Sequence, residues 1–340
     1  MSWLAPTWFV LFVVIVTGYV ILDGFDLGVG MLSPFVARSD HDKRVLLNSI
    51  GPVWDGNEVW LVLAGGALFA AFPLVYAALF SGFYSAMMLV LLVLILRTVA
   101  IEFRSKRSSG RWRATWDAFF FASSLGITLL LGVALGNVVR GVDIDAQGNM
   151  TVDLLELLNP YSLLIGITAV AMLCLHGAIF LTQKVEGDLL AKVKRAIPRL
   201  GDTFFLLATA SVVATLQVDS EMVDNFRERP WTAAFPAVAL LATLVAWRLV
   251  EAQWYLAGFL ASGATIAMLL ASVAAGLYPV MLPSSIDRAY DLTVHNAASA
   301  DNTLQVMFVI ALLGMPFVIL YTAGIYYFFR GKVEIGEDSY

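Results

Sequence analysis

GPVWDGNEVWLVLAGGALFAAFP, residues 51–73, decides how the chain is read: its second half is apolar enough for lipid, yet its first turns carry Asp55 and Glu58 between Trp54 and Trp60. Apolar runs of this kind recur along the 340-residue chain, which is 60% apolar and only 14% charged, with a mean hydropathy of +0.81. A soluble domain is roughly 45–50% apolar and about 25% charged. Composition therefore gives an integral membrane protein. A helix of about 20 apolar residues crosses a bilayer core of about 30 Å. Lipid offers no partner to open backbone groups, so spans are helices or closed barrels. The runs here are continuous rather than alternating, which selects helices.

The same composition excludes several classes. Cys174 is the single cysteine and sits inside an apolar run, so the chain has no internal disulfide or thiolate cluster, and the residue reads as packing. The N-terminus has no charged start and no small-residue cleavage site, and its first apolar run is long enough to span, so the whole chain reads as mature protein. The net charge of −5 is spread over loops and implies no nucleic-acid partner. Zinc or copper spacing, phosphate-cradling loops and nucleophile elbows are absent from the sequence.

Apolar runs predict nine spans in one polytopic domain, residues 1–340: 8–32, 54–73, 75–101, 114–138, 160–183, 200–218, 232–250, 254–279 and 303–329. Pro73 separates the second from the third, because an internal proline removes a helix hydrogen bond and clashes with the preceding turn. With nine spans, sixteen of the 21 Lys and Arg residues fall on one side and four on the other, with Arg97 inside a span. Cytoplasmic loops carry the excess of Lys and Arg, so the N-terminus is expected outside and the C-terminus in the cytoplasm. Fusing the second and third spans would scramble that asymmetry. The most basic loop, RSKRSSGRWR at 104–113, reads as a topology determinant touching anionic lipid. Gly24-x-x-x-Gly28 and Gly132-x-x-x-Gly136 allow close helix approach.

The first span ends YVILDGFDLGVGML, residues 19–32, with Asp23 and Asp26 on one helix face. Counting back from Ser33 puts Asp23 roughly 15 Å below the boundary. A carboxylate at mid-membrane costs about 2.5–3.5 kcal/mol, so both acids should face protein or water. Asp55 and Glu58 enter from the same side, three apart on the next span. Two antiparallel neighbours thus gather four carboxyls, a pattern suited to proton uptake from the cytoplasm because clustered acids favour each other's protonated forms. A plainer account competes for the second pair: after Pro52, Asp55 complements the helix dipole, and Trp54 and Trp60 anchor the interface. Arg97 and Glu102 read as an ion pair about one turn apart. His176 reads as a hydrogen-bonded packing residue rather than a haem ligand, with His41 and His295 placed in loops.

The stretches 19–32 and 51–84, together with VMLPSSIDRAYDLTVHNAAS at 280–299, resemble the signature segments of subunit II of the cytochrome bd-type quinol oxidases, and length and span number agree. The resemblance implies an all-α membrane fold of two four-helix bundles plus a peripheral helix, in the bacterial cytoplasmic membrane. It implies a heterodimer that oxidises quinol and reduces oxygen to water with protons taken from the cytoplasm. The partner, subunit I, would hold two b-type haems and haem d; this chain would hold no haem and no catalytic residue. A small single-span accessory subunit and a bound quinone are compatible with the family, without residues here to place them. Asp55 beside Trp54 falls on the acid that the family places in a proton channel at the subunit interface. Asp23 and Asp26 match the acids of the family's DGFD stretch, and Glu58 occupies a position of Glu or Gln. The competing class is a stand-alone proton-coupled transporter, which would show paired Gly- or Pro-interrupted spans in its two halves. The sequence has no convincing pair of that kind.

Overall fold

The computed structural model describes residues 3–150, 152–218 and 221–336. Among the described residues twelve α-helices follow one another: α1 Leu4–Val36, α2 Asp40–Ile50, α3 Trp54–Ala71, α4 Pro73–Gly82, α5 Tyr84–Phe103, α6 Gly110–Arg140, α7 Pro160–Lys184, α8 Gly187–Thr215, α9 Glu221–Glu228, α10 Ala234–Glu251, α11 Tyr255–Leu277 and α12 Asp301–Phe328. A small antiparallel ribbon, β1 Val280–Leu282 with β2 Leu292–Thr293, lies in the loop before α12. Among the described residues, eight helices are long and apolar enough to cross a membrane: α1, α5, α6, α7, α8, α10, α11 and α12. The second expected span, α3, falls short of that measure because Asp55, Asn57 and Glu58 fill its first turns.

Three sequence expectations change. The break at Phe72-Pro73 is present, with Pro73 opening α4, but the expected span 75–101 is two helices parted at Phe83. Gly82 is the reason available there, a poor helix former pressed against the Met150 side chain of the loop after α6. The stretch 184–199, expected as loop, is mostly the beginning of α8. Leu189, Val193 and Ile197 recur every four residues and are buried, so its basic start is an amphipathic helix that continues through Pro198. The loop 33–53 likewise contains α2, started by a capping box in which Ser39 and Asp42 bond each other's backbone.

At the centre of the molecule lies α1, packed on α3, α6, α7 and α11, while α7 also meets α6 and α8, and α10 pairs with α11. Small residues make these approaches possible. A Cβ on Gly28 would lie 2.9 Å from the Gly177 Cα, and one on Gly132 would lie 2.7 Å from the Gly166 Cα. Both expected glycine pairs thus sit where a neighbouring helix comes near; Gly136 faces the Ser162 backbone and Gly24 faces Leu173. By contrast, α12 has one buried residue, Leu304.

The end of the molecule rich in Lys and Arg, here the basic end, is held by ion pairs. Arg104 is 2% exposed and donates to Asp117 at 2.5 Å and to Asp40 at 2.9 Å. Arg113 joins Asp40, Lys43 joins Asp117 and Lys192 joins Asp42. The 104–113 loop, expected to touch lipid, therefore spends two of its arginines on protein carboxylates, because a buried guanidinium is tolerable only when paired. The C-terminal segment lies across the same end. Lys332 donates to the carbonyls of Thr182 and Val185, and the Val333 N–H to that of Lys184, so the segment caps the open carbonyls of α7.

Two predictions follow from this packing. Gly177→Val forces α1 and α7 apart, and overpacking of this kind costs about 1–3 kcal/mol or more; the expected result is a lower melting temperature or lost assembly by size-exclusion chromatography. At Asp42, partial burial pushes the carboxyl up but is outweighed by the Arg38 and Ser39 N–H groups and Lys192, which hold it below the ordinary 3.8. The stabilisation is present above that value and lost as pH falls through the depressed one. Melting temperature should therefore fall more shallowly below about pH 4 in Asp42→Asn than in the parent, measured by thermal denaturation across that window.

Candidate functional site

The polar residues of α1 and α3 meet one from α5 inside the bundle. Asp23 and Asp26, three apart on α1, point from one face. Arg97 stands six residues before the end of α5 and reaches the same point, forming a two-pronged pair with Asp23: Nη2 to Oδ1 at 2.6 Å and Nη1 to Oδ2 at 2.9 Å. Its Nη2 is 3.9 Å from Asp26 Oδ2, and its Nη1 is 3.8 Å from Glu58 Oε2. Asp23, Asp26 and Arg97 are all 0% exposed, and the Glu58 side chain is 20% exposed. Asn57 completes the group, donating from Nδ2 to Asp26 Oδ2 at 2.8 Å and to the Leu22 carbonyl at 3.0 Å. Tyr326 of α12 donates its hydroxyl to Asn57 Oδ1 at 2.9 Å.

One guanidinium thus serves three carboxyls. A bidentate pair is the strongest form of such contact, and it accounts for Asp23. Asp26 Oδ1 and Glu58 Oε2 are buried without a hydrogen-bond donor among the described residues. Leaving buried acceptors unmatched is costly, and two excess negative charges in a nonpolar surround cost more. Protons or water on those oxygens relieve both. An aromatic group adjoins Tyr326: Phe25 meets its ring edge-on at 6.3 Å and stacks on Phe180 at 4.0 Å, and His176 stacks on Phe259 at 4.8 Å.

The structure brings Asp23, Asp26 and Glu58 together and leaves Asp55 outside the bonded group. Asp55 is exposed, one turn before Glu58 on α3. Trp54, expected at the interface, is buried in the core, and Trp60 packs its ring on α1 at Gly18. The expected Arg97–Glu102 pair is replaced by Arg97–Asp23, because a wholly buried arginine takes the buried carboxylate that faces it across the bundle. That also supplies the cation that the sequence does not show beside Asp23 and Asp26. Asn57 and Tyr326 were not singled out in the sequence. Asn57 left a trace, an amide between two acids at the start of an apolar run, whereas Tyr326 is brought in by tertiary packing alone. His176 is the packing residue expected: Nδ1 meets Ser262 Oγ at 2.7 Å and Nε2 meets the Ile21 carbonyl at 3.0 Å. His41 lies in the first turn of α2 and His295 in the loop before α12.

Comparison with known proteins sets this geometry in context. The family described as cytochrome bd terminal oxidase subunit II matches residues 4–329. The chain belongs to that family. Subunit 2 of the cytochrome bd-I ubiquinol oxidase of Escherichia coli (strain K12) is 36% identical, covering 96% of this chain and 94% of that protein. Subunit 2 of the cytochrome bd ubiquinol oxidase of Bacillus subtilis (strain 168) is also 36% identical, covering 99% of each. A chain in the structure of bd oxidase from Geobacillus thermodenitrificans shares the fold, with a TM-score of 0.79 at 18% identity, over 96% of this chain and 99% of that one. This subunit II is therefore part of a terminal oxidase, an oxidoreductase complex, and a multi-pass membrane protein; the stand-alone transporter reading falls away.

Breaking a buried ion pair by removing one partner costs about 3–5 kcal/mol. Arg97→Ala in this subunit should therefore reduce the yield of assembled oxidase and lower its melting temperature. The double variant Asp23→Asn/Arg97→Gln, which removes both members of the bidentate pair and leaves Asp26 and Glu58 to protons or water, should recover part of both. Quantifying assembled complex by gel and thermal denaturation checks the pair.

Proposed function

We propose that this subunit II is the haem-free half of a quinol-oxidising, oxygen-reducing complex in the bacterial cytoplasmic membrane, that it stabilises a haem-bearing subunit I, and that it admits protons from the cytoplasm. The observation that carries the reading is the buried group of three carboxyls around Arg97, with Asp55 on the exposed surface one turn away. Protons enter at Asp55, pass to Glu58 and reach Asp26, while Asp23, locked to Arg97, fixes the local field. Trp54 supports the first turn of α3 from the core side.

In this reading α3 is the ninth span, its polar start made tolerable by the partner subunit. The N-terminus faces out, and the basic end faces the cytoplasm. The two four-helix bundles are α1, α3, α5, α6 and α7, α8, α10, α11, with α12 peripheral. Subunit I lies along α3. Side chains added at Gly56, Gly65 or Gly66 would meet nothing within 4 Å, and small residues in a span let another helix approach closely. The haems, two of b type and one of d type, belong to subunit I. Both ring nitrogens of His176 are already engaged, which supports that division. A bound quinone and a single-span accessory subunit remain compatible, and neither is needed for the path described.

The test is Asp55→Asn in the assembled oxidase. The proton-path reading expects a several-fold loss of quinol oxidase turnover with haem content and subunit stoichiometry unchanged, measured by oxygen consumption and visible spectroscopy. Unchanged turnover would leave this chain a scaffold.

A further inference from the structure

Away from the carboxyl cluster, at the end of the molecule that carries the N-terminus, a groove of about 730 Å³ opens between α1 and α11. It runs along α1 from Pro6 to Thr17 and along α11 from Tyr278 back to Ala267. Eleven residues of helix rise about 17 Å, close to half of a hydrocarbon core about 30 Å thick. The groove is thus one leaflet deep. Alanines, Ala271 at their middle, keep the α11 wall low, and the opposite wall is mostly apolar, with Phe9, Val10, Val13 and Val14.

At the mouth stand Arg229 and Trp231, on the short turn that leads into α10. Trp231 is 66% exposed, as an interfacial tryptophan is. The Arg229 guanidinium is part-exposed and has no ion pair or hydrogen bond among the described residues, whereas nearby Arg227 and Arg288 both pair with Asp224. A cation without a protein partner among the described residues, beside an apolar slot, suits an anion with an apolar body.

We infer that this groove is a binding site for one anionic phospholipid, its phosphodiester on Arg229 and its acyl chains along α1 and α11. The depth argues against a partner's membrane helix, which would need a groove through both leaflets. The charge argues against an uncharged lipid such as a quinone, which would leave Arg229 unmatched. The site is remote from the carboxyls and independent of the proton-path reading.

The experiment uses the whole oxidase, delipidated stepwise in detergent, offered phosphatidylglycerol or phosphatidylethanolamine, and weighed by native mass spectrometry. The parent complex should retain one phosphatidylglycerol through steps that strip phosphatidylethanolamine. Arg229→Gln, at the exposed rim, should abolish that preference, and Ala271→Trp should remove the retained lipid by filling the slot. Melting temperature and size-exclusion profile report folding, and if Ala271→Trp fails to assemble, Arg229→Gln decides alone. Equal retention of both lipids by the parent, unchanged preference in Arg229→Gln, or a retained molecule without phosphate would overturn the inference.

Discussion

The bond between Asp23 and Arg97 is the constraint on which the rest of this molecule depends. Both side chains are fully out of solvent, and neither is tolerable in a nonpolar interior alone. Their pairing fixes where α5 stands against α1 and so sets the height at which Asp26 and Glu58 meet the same cation. Asn57 and Tyr326 extend the arrangement to α3 and α12. A cluster of acids is thereby built into the load path of the fold. Its three carboxyls outnumber the one guanidinium that serves them.

Around that bond, α1 is the element nearly everything touches, and its small residues explain why. Gly28 lets α7 come to backbone distance and Gly24 makes room for its Leu173 side chain, while Gly132 and Gly136 bring α6 and α7 together. In lipid there is little hydrophobic gain from pressing apolar helices together, so close backbone packing and buried polar bonds hold the bundle. At the basic end the pattern changes to ion pairs, which link α2, α5, α6 and α8 through Asp40, Asp42 and Asp117. The membrane interior and its rim thus use different forces, each suited to the local dielectric.

Much of this was legible in the residues. Continuous apolar runs gave the helices, Pro73 gave the break after α3, and the three-residue spacing of the acids put each pair on a face. What sequence left open was anything decided across the bundle. Arg97 stands out as the one cation inside a run, yet local spacing offers it only Glu102 on its own helix, because spacing cannot register α1 against α5. The early start of α8 was hidden by its lysines, since a hydrophobicity count discards a half-polar helix whose Leu189, Val193 and Ile197 face is apolar. The break at Phe83 follows Gly82, whose close neighbour Met150 lies 68 residues further on. Tyr326 had no local signature at all.

The contact between the C-terminal segment and α7 bears on how the molecule is made. Lys332 and Val333 leave the ribosome after every membrane helix, yet they close the carbonyl end of a helix from the middle of the chain. Until that segment has emerged, those carbonyls are left to water. Sealing of that end accordingly waits until the described membrane helices have all been made.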